Sequence, residues 1–258
     1  MPDPALSRVR IVLVEPAGAL NVGSIARVMK NMGLHHLVLV NPQCDRTSEE
    51  ARRMAVHAAD VLEAATIATS LPEALKGCHR AIATTARTRA IATTLESPKT
   101  ALPWLIDTTT EHSALIFGSE EHGLSNEDLN YAQRFICIPS SPEYSSLNLA
   151  QAVAVCCYEL YGLTQEKPIQ PVVSPPPTDE TVAAIDSLEN YYQHLETVLL
   201  NIGYLYPHTA PSRMEKFRRL FNRASLSEPE VAMLRGILRQ VEWAIEERDE
   251  GGEMKDEG

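Results

Sequence analysis

Four short stretches hold residues whose types and spacing suit chemistry. Asn21, Gly23 and Arg27 fall within "NVGSIARVMKNMGL", residues 21–34. Arg87 and Arg89 follow the apolar run "RAIATT". Gly118 and Gly123 bracket two acids in "FGSEEHGL", residues 117–124. Tyr144, Ser145, Ser146 and Asn148 crowd in front of the Ala- and Val-rich segment that closes "PEYSSLNLAQAVAVCCY", residues 142–158. A planar guanidinium, and still more a pair of them, grips phosphate with paired hydrogen bonds. Glycines let backbone approach a ligand closely. Hydroxyls and an amide before a helix either cap its free N–H groups or meet a ligand there, and the residues alone leave both uses open. The same holds for Asn21, which suits an N-cap, for Gly23, which suits close packing, and for Arg27 and the arginine pair, which suit open solvent.

These stretches need elements to hold them. "VRIVLV" (9–14) and "LVLV" (37–40) read as buried strands. Between them Ile25, Val28, Met29 and Met32 recur at helical spacing, and Gly33 is a natural stop. That strand–helix–strand unit builds a parallel sheet. Further strands are predicted at 80–85, 113–118 and 134–139, and helices at about 48–59, 71–77, 125–132 and 147–161. Ser125 and Asp128 suit a capping box. In open α/β sheets ligands bind beyond the carboxyl ends of the strands, and all four stretches follow strand ends. The α/β domain is placed at residues 1–164.

Residues 165–178 are dense in proline and read as a semi-rigid linker. From 179 to 248 the pattern turns helical. Leu188, Tyr192, Leu195 and Leu199 share one face, and Ser227 with Glu230 suits a second capping box. "RMEKFRRLFNR" (213–223) sets five bases against one acid, so Arg218 and Arg219 are assigned to RNA. Residues 246–258 hold seven acids and two bases, and 249–258 is expected to be a disordered acidic tail. The net charge of −11 on 258 residues therefore does not exclude a nucleic-acid partner, because its charges are segregated.

The five cysteines form no C-x-x-C pair, the eight histidines lack ligand spacing, and no metal site is expected. No apolar run reaches the ~18 residues of a membrane span, and the N-terminus lacks a signal-peptide core, so a cytoplasmic location is expected. A Rossmann fingerprint, a P-loop and a nucleophile elbow are all missing. The residues define an α/β domain for a phosphate-bearing or nucleotide-like ligand, joined to a helical accessory domain. They do not specify a reaction.

"NVGSIARVMKNMGL", "FGSEEHGL" and "IPSSPEYSSLNLAQAVAVCCYEL" occur in the order of the three motifs of the SPOUT methyltransferases of TrmH type, and the chain resembles that family over about residues 8–163. "HLETVLLNIGY" and "KFRRLFNRA…LRGIL" resemble the helical extension of its tRNA-modifying members. The resemblance implies a parallel sheet with a C-terminal trefoil knot, followed by a small all-helical domain, in a homodimer. It implies 2'-O-methylation of a tRNA ribose from S-adenosylmethionine, at cytidine or uridine of anticodon-loop position 32. Thr84, Thr85, Ala86, Gly118, Ile138, Ser145, Ser146 and Leu147 would cradle the cofactor, and Glu120 and Gly123 of the glycine-bracketed loop are assigned with them. Asn21, Arg27, Ser146 and Asn148 would serve the reaction, and Arg87 and Arg89 would hold RNA. The alternatives are a family member acting on ribosomal RNA or another tRNA position, and a non-catalytic RNA-binding protein on the same scaffold. One feature departs from the family: its Trp-Pro pair is delayed and reversed here, as Pro103-Trp104, so the loop after Arg89 is expected to differ in shape.

Overall fold

The computed structural model describes residues 3–86, 94–107, 112–165 and 182–253, with side chains described as far as residue 245. The chain divides into two compact units, Met1–Pro177 and Thr178–Gly258.

In the first unit the described strands are β1 (Val9–Val14), β2 (His36–Val40), β3 (Thr66–Ala68), β4 (Arg80–Thr84), β5 (Leu95–Glu96), β6 (Ser113–Phe117) and β7 (Arg134–Ile136). They form one sheet in the order β3-β2-β1-β6-β4-β7-β5, and every pairing is parallel. Near its centre Ile11 pairs with Leu37 on one side and Leu115 on the other. Both faces are covered, so the central strands are apolar almost without break, the usual sequence of a buried parallel sheet.

The helices of this unit are α1 (Ala19–Asn31), α2 (Glu49–Ala55), α3 (Ala59–Ala64), α4 (Leu71–Leu75), α5 (Pro98–Ala101), α6 (Asn126–Leu129) and α7 (Leu149–Gln165). α1 buries Val22, Ile25, Ala26 and Met29. Gly23 is structural: a Cβ there would stand 2.2 Å from the Ala51 carbonyl oxygen of α2. α7 buries Val153, Cys156, Cys157 and Leu160 completely. It starts at Leu149 rather than 147 and runs through Gly162 to Gln165, past the expected end. The helix expected over 48–59 is broken at Val56, whose φ is +53°, into α2 and α3. β3 and β5, unforeseen in the sequence, are too short to show a periodicity. The Ser125–Asp128 capping box is present.

The reversed Pro103-Trp104 pair serves packing. The Trp104 ring lies under two guanidinium groups, Arg80 at 4.9 Å and Arg134 at 5.4 Å from its centroid. Arg80 also donates to the Trp104 carbonyl oxygen, and Arg134 grips Glu96 with two hydrogen bonds. These contacts clamp the starts of β4 and β7, the opposite pole of the sheet from the carboxyl ends.

The second unit consists of α8 (Ile185–Asn201), α9 (Ala210–Ala224) and α10 (Glu228–Glu253). Its core joins Leu188, Tyr191, Tyr192, Leu195 and Val198 of α8 to Met214 and Phe221 of α9 and to Val231 and Leu238 of α10. Glu230 accepts from both the backbone N–H and the hydroxyl of Ser227, at 2.8 and 3.0 Å, closing the second capping box. α10 reaches Glu253 and so takes in the first residues of the expected acidic tail. Residues 166–178 of the expected proline-rich linker, and 179–181 after it, lie outside the described residues.

Candidate active site

Three adjacent strands, β6, β4 and β7, deliver their carboxyl ends side by side. Beyond them lies a cavity with an apolar wall of Phe117, Leu124, Ile136, Ile138 and Leu149. All ten residues assigned to the cofactor line it: Thr84, Thr85, Ala86, Gly118, Glu120, Gly123, Ile138, Ser145, Ser146 and Leu147. The apolar wall was not legible beforehand, because a strand-end Phe117 or Ile136 reads as ordinary core. Two hydrogen bonds fix the β4 end: the Thr84 hydroxyl donates to the Ile116 carbonyl at 3.1 Å, and Thr85 N–H to the Ile136 carbonyl at 2.9 Å.

The segment after β6 turns back on itself. Gly123 N–H donates to the Ser119 carbonyl at 3.0 Å, and Gly123 has φ +69°, where a side chain is strained. A Cβ on Gly118 would stand 2.0 Å from the Gly123 carbonyl carbon. Gly118 is therefore required by the loop's own backbone, a use different from the close ligand approach the sequence suggested.

Glu120 ties the glycine turn to the start of α1. Its carboxylate accepts from Ala17 N–H at 2.9 Å, Gly18 N–H at 3.0 Å and the Asn21 side-chain amide at 2.8 Å. Burial pushes this carboxyl up, but the donors of Ala17, Asn21 and Gly18 outweigh it and hold the group below the usual carboxylate range. An anion at the start of α1 also meets the positive end of the helix dipole. This clamp was missed in the sequence, where nothing in "GSEEHGL" points to residues about a hundred positions earlier.

Asn21 is not the N-cap of α1. The cap position is Gly18, and Asn21 lies in the first turn. Its side-chain carbonyl accepts from the Asn148 amide at 3.0 Å. Asn148, not a serine, caps α7: its Oδ1 accepts from Ala150 N–H at 2.9 Å and Gln151 N–H at 3.4 Å. Ser145 and Ser146 remain exposed on the cavity rim. Tyr144 does not converge with them; it is 81% exposed and is not among the residues lining the cavity.

Arg27 also lies off the cavity lining. α1 begins at Ala19, so Arg27 is more than two turns into the helix, not one. It shares the outward stripe of α1 with Leu20, Ser24 and Asn31 and has no hydrogen-bond or ion-pair partner among the described residues. Arg87 and Arg89 lie outside the described residues. In the second unit Arg218 is placed differently from the sequence expectation. It makes two hydrogen bonds to Glu189, at 2.6 and 2.8 Å, and stacks over Tyr192, so the helical core absorbs it. Arg219 is exposed and pairs with Glu215 one turn away at 3.5 Å. Among the described residues no group of three His, Cys, Asp or Glu side chains could hold a metal ion, and no helix is long and apolar enough to cross a membrane.

The carboxyl ends of the parallel sheet thus open into one cavity, rimmed by a glycine turn and by the loop entering α7. Residues 8–158 match the SpoU rRNA Methylase family, and the chain belongs to that family. Residues 186–251 match the C-terminal domain of the tRNA methyltransferase TrmJ, so both units have counterparts among the TrmJ proteins. The chain is 39% identical to the tRNA (cytidine/uridine-2'-O-)-methyltransferase TrmJ of Cronobacter sakazakii, over 94% of this chain and 99% of that one. It is also 39% identical to the tRNA (cytidine/uridine/adenosine-2'-O-)-methyltransferase TrmJ of Pseudomonas aeruginosa, over 92% and 95%. Among solved structures, TrmJ from Z. mobilis superposes with a TM-score of 0.79 at 32% identity, covering 90% of this chain and 98% of that one.

Proposed function

We propose that the chain transfers a methyl group from S-adenosylmethionine to a ribose 2'-hydroxyl of tRNA, at cytidine or uridine of anticodon-loop position 32. The observation that carries this reading is the gathering of all ten expected cofactor residues on one cavity, beside the Glu120–Asn21–Asn148 chain. The cavity fits the cofactor. Its apolar wall suits an adenine ring, its hydroxyl-bearing rim suits ribose and amino-acid groups, and the ionised Glu120 gives the rim negative charge. S-adenosylmethionine, when bound there, supplies a methyl group on a positively charged sulfur, open to attack by a hydroxyl oxygen.

The chain's own residues position the other reactant, which contributes several kcal/mol to such a reaction. Arg27 grips an RNA phosphate and orients the hydroxyl; its exposed stripe suits a ligand arriving from outside the cavity. A guanidinium with a pKa above about 12 is no proton acceptor, so the hydroxyl proton passes to the phosphate or to water. Asn21 and Asn148 hold one another and fix the entrance of α7, while Ser146 faces the reacting groups from the rim. The segment from β7 through α7 is where the trefoil knot lies in this reading. The exposed Val155, Tyr158 and Tyr161 of α7 form the self-association face of a cytoplasmic homodimer.

The relatives' names differ in whether adenosine is accepted. The experiment is methylation of an unmodified tRNA pool with methyl-labelled cofactor, followed by nucleotide mapping. Label at the 2'-oxygen of position 32 is expected. Label at another tRNA position, or label on ribosomal RNA supplied in a parallel reaction, moves the activity elsewhere in the family, and RNA binding without transfer leaves a binding protein.

A further inference from the structure

The helical unit exposes cations of α9 beside two tyrosines of the preceding turn, one of which, Tyr204, also rests against Phe217 with ring centroids 6.4 Å apart. Of the five bases between residues 213 and 223, Arg218 and Arg219 are engaged with acids of the unit. Arg213, Lys216 and Arg223 are exposed and form no ion pair with any described residue. Together with Leu220, which is 48% exposed, they follow at intervals of three, four and three residues and so share one outward stripe of α9.

The turn that leads into α9 adds an independent feature. Tyr204 and Tyr206 are 52% and 55% exposed. Neither ring is loose. Leu205 between them is buried, and its N–H donates to the Leu199 carbonyl at 2.9 Å. The Tyr206 carbonyl accepts from Thr209 and Ala210 N–H, both at 2.8 Å. The Arg213 guanidinium lies 5.8 Å from the Tyr204 ring centroid, and Tyr206 stacks on His208 at 6.0 Å with planes 26° apart. Two exposed tyrosines on a fixed turn, with one unpaired guanidinium already against a ring, form a platform beside a line of cations.

We propose that Tyr204 and Tyr206, with the Arg213–Lys216–Arg223 stripe, bind a single-stranded stretch of RNA. The rings stack on unpaired bases and the cations track the phosphates, the combination that suits unpaired strands because every base has a π-face. A duplex would use the cations and leave the tyrosines idle, since its bases are already stacked. The inference rests on the reading of the chain as a tRNA-modifying enzyme and deepens it by naming the feature of the RNA that the helical unit recognises.

The test uses the full chain and three RNAs: an unmodified tRNA transcript, an anticodon stem-loop and a blunt duplex of matching length. Affinity is measured by fluorescence anisotropy across a salt series for wild type, Tyr204→Ala/Tyr206→Ala, Tyr206→Leu and Lys216→Glu/Arg223→Glu, with a melting curve for each. The tyrosine variants should lose about tenfold or more in affinity for the stem-loop and tRNA while duplex affinity holds. Tyr206→Leu keeps the bulk without the stacking face and should show the same loss in smaller degree. Charge reversal should weaken all three RNAs and flatten the salt dependence, by roughly one unit of slope per lost phosphate contact. Unchanged stem-loop affinity in the tyrosine variants overturns the inference. So does loss of self-association in place of RNA affinity, which would make the patch a protein interface. If wild type methylates and binds tRNA while the variants bind normally, this inference alone falls. If wild type neither binds nor methylates tRNA, the functional reading falls with it.

Discussion

The side-chain amide of Asn148 donates to the side-chain carbonyl of Asn21 at 3.0 Å, joining residues 127 positions apart. Since Asn21 in turn donates to Glu120, the start of α1, the glycine turn after β6 and the cap of α7 form one continuous hydrogen-bonded chain.

Asn148 has two duties that substitution can separate. Asn148→Ala removes the cap and should cost about 1 kcal/mol of stability together with activity. Asn148→Asp keeps an acceptor for Ala150 and Gln151 N–H but has no amide to donate to Asn21. It should melt near the wild-type temperature yet transfer methyl groups poorly. A fully active Asp variant would show that the link to Asn21 does not matter.

Glu120 makes stability depend on acid. Its folded-state pKa lies below the unfolded value of about 4.3, so its contribution is present above that pH. It fades as pH falls through the folded value. Melting curves from pH 7 to pH 3 should show a loss at the acid end that is smaller in Glu120→Gln. Parallel curves for the two proteins would refute the clamp.

Arg27 should matter for transfer and little for folding, since its side chain is exposed and unpaired among the described residues. Arg27→Ala is expected to be nearly inactive. Arg27→Lys keeps the charge but loses the planar fork and should be severely impaired. Both should keep near-normal cofactor affinity and melting temperature. Single-turnover methylation beside a cofactor titration checks this, and an active Ala variant would shift attention to Arg87, Arg89 and Ser146.

Two neighbouring arginines should differ in their weight for stability. Arg218→Ala strands the largely buried Glu189 carboxylate and should destabilise the helical unit by about 3 kcal/mol. Arg219→Ala breaks a partly exposed pair and should change stability by no more than about 0.5 kcal/mol. Denaturant unfolding of the two variants distinguishes them, and equal effects would contradict the described packing.

Much of this was legible in the sequence because periodicity reports burial. The runs at 9–14 and 37–40 and the stripe of Ile25 and Met29 became core strands and a core helix. The three motif stretches were legible because they follow strand ends, and a parallel sheet brings those ends together. Partnerships between distant side chains were not legible. Nothing local distinguishes Arg218, held by Glu189, from Arg219, and nothing in "GSEEHGL" reveals that Glu120 reaches back to Ala17. Arg27 lies deeper in α1 than expected because the helix begins two residues before Asn21, which adds about 3 Å of helix ahead of it.

The strand order carries a further consequence. The two outermost described strands, β3 and β5, are also short, at three and two residues. An unpaired strand edge is a template on which another chain can add, and its hazard grows with its length. A sheet this apolar, synthesised in many copies, is thus shielded from edge-to-edge aggregation by the brevity of its margins. Lengthening β5 by even two or three β-forming residues would trade that protection for a sticky border.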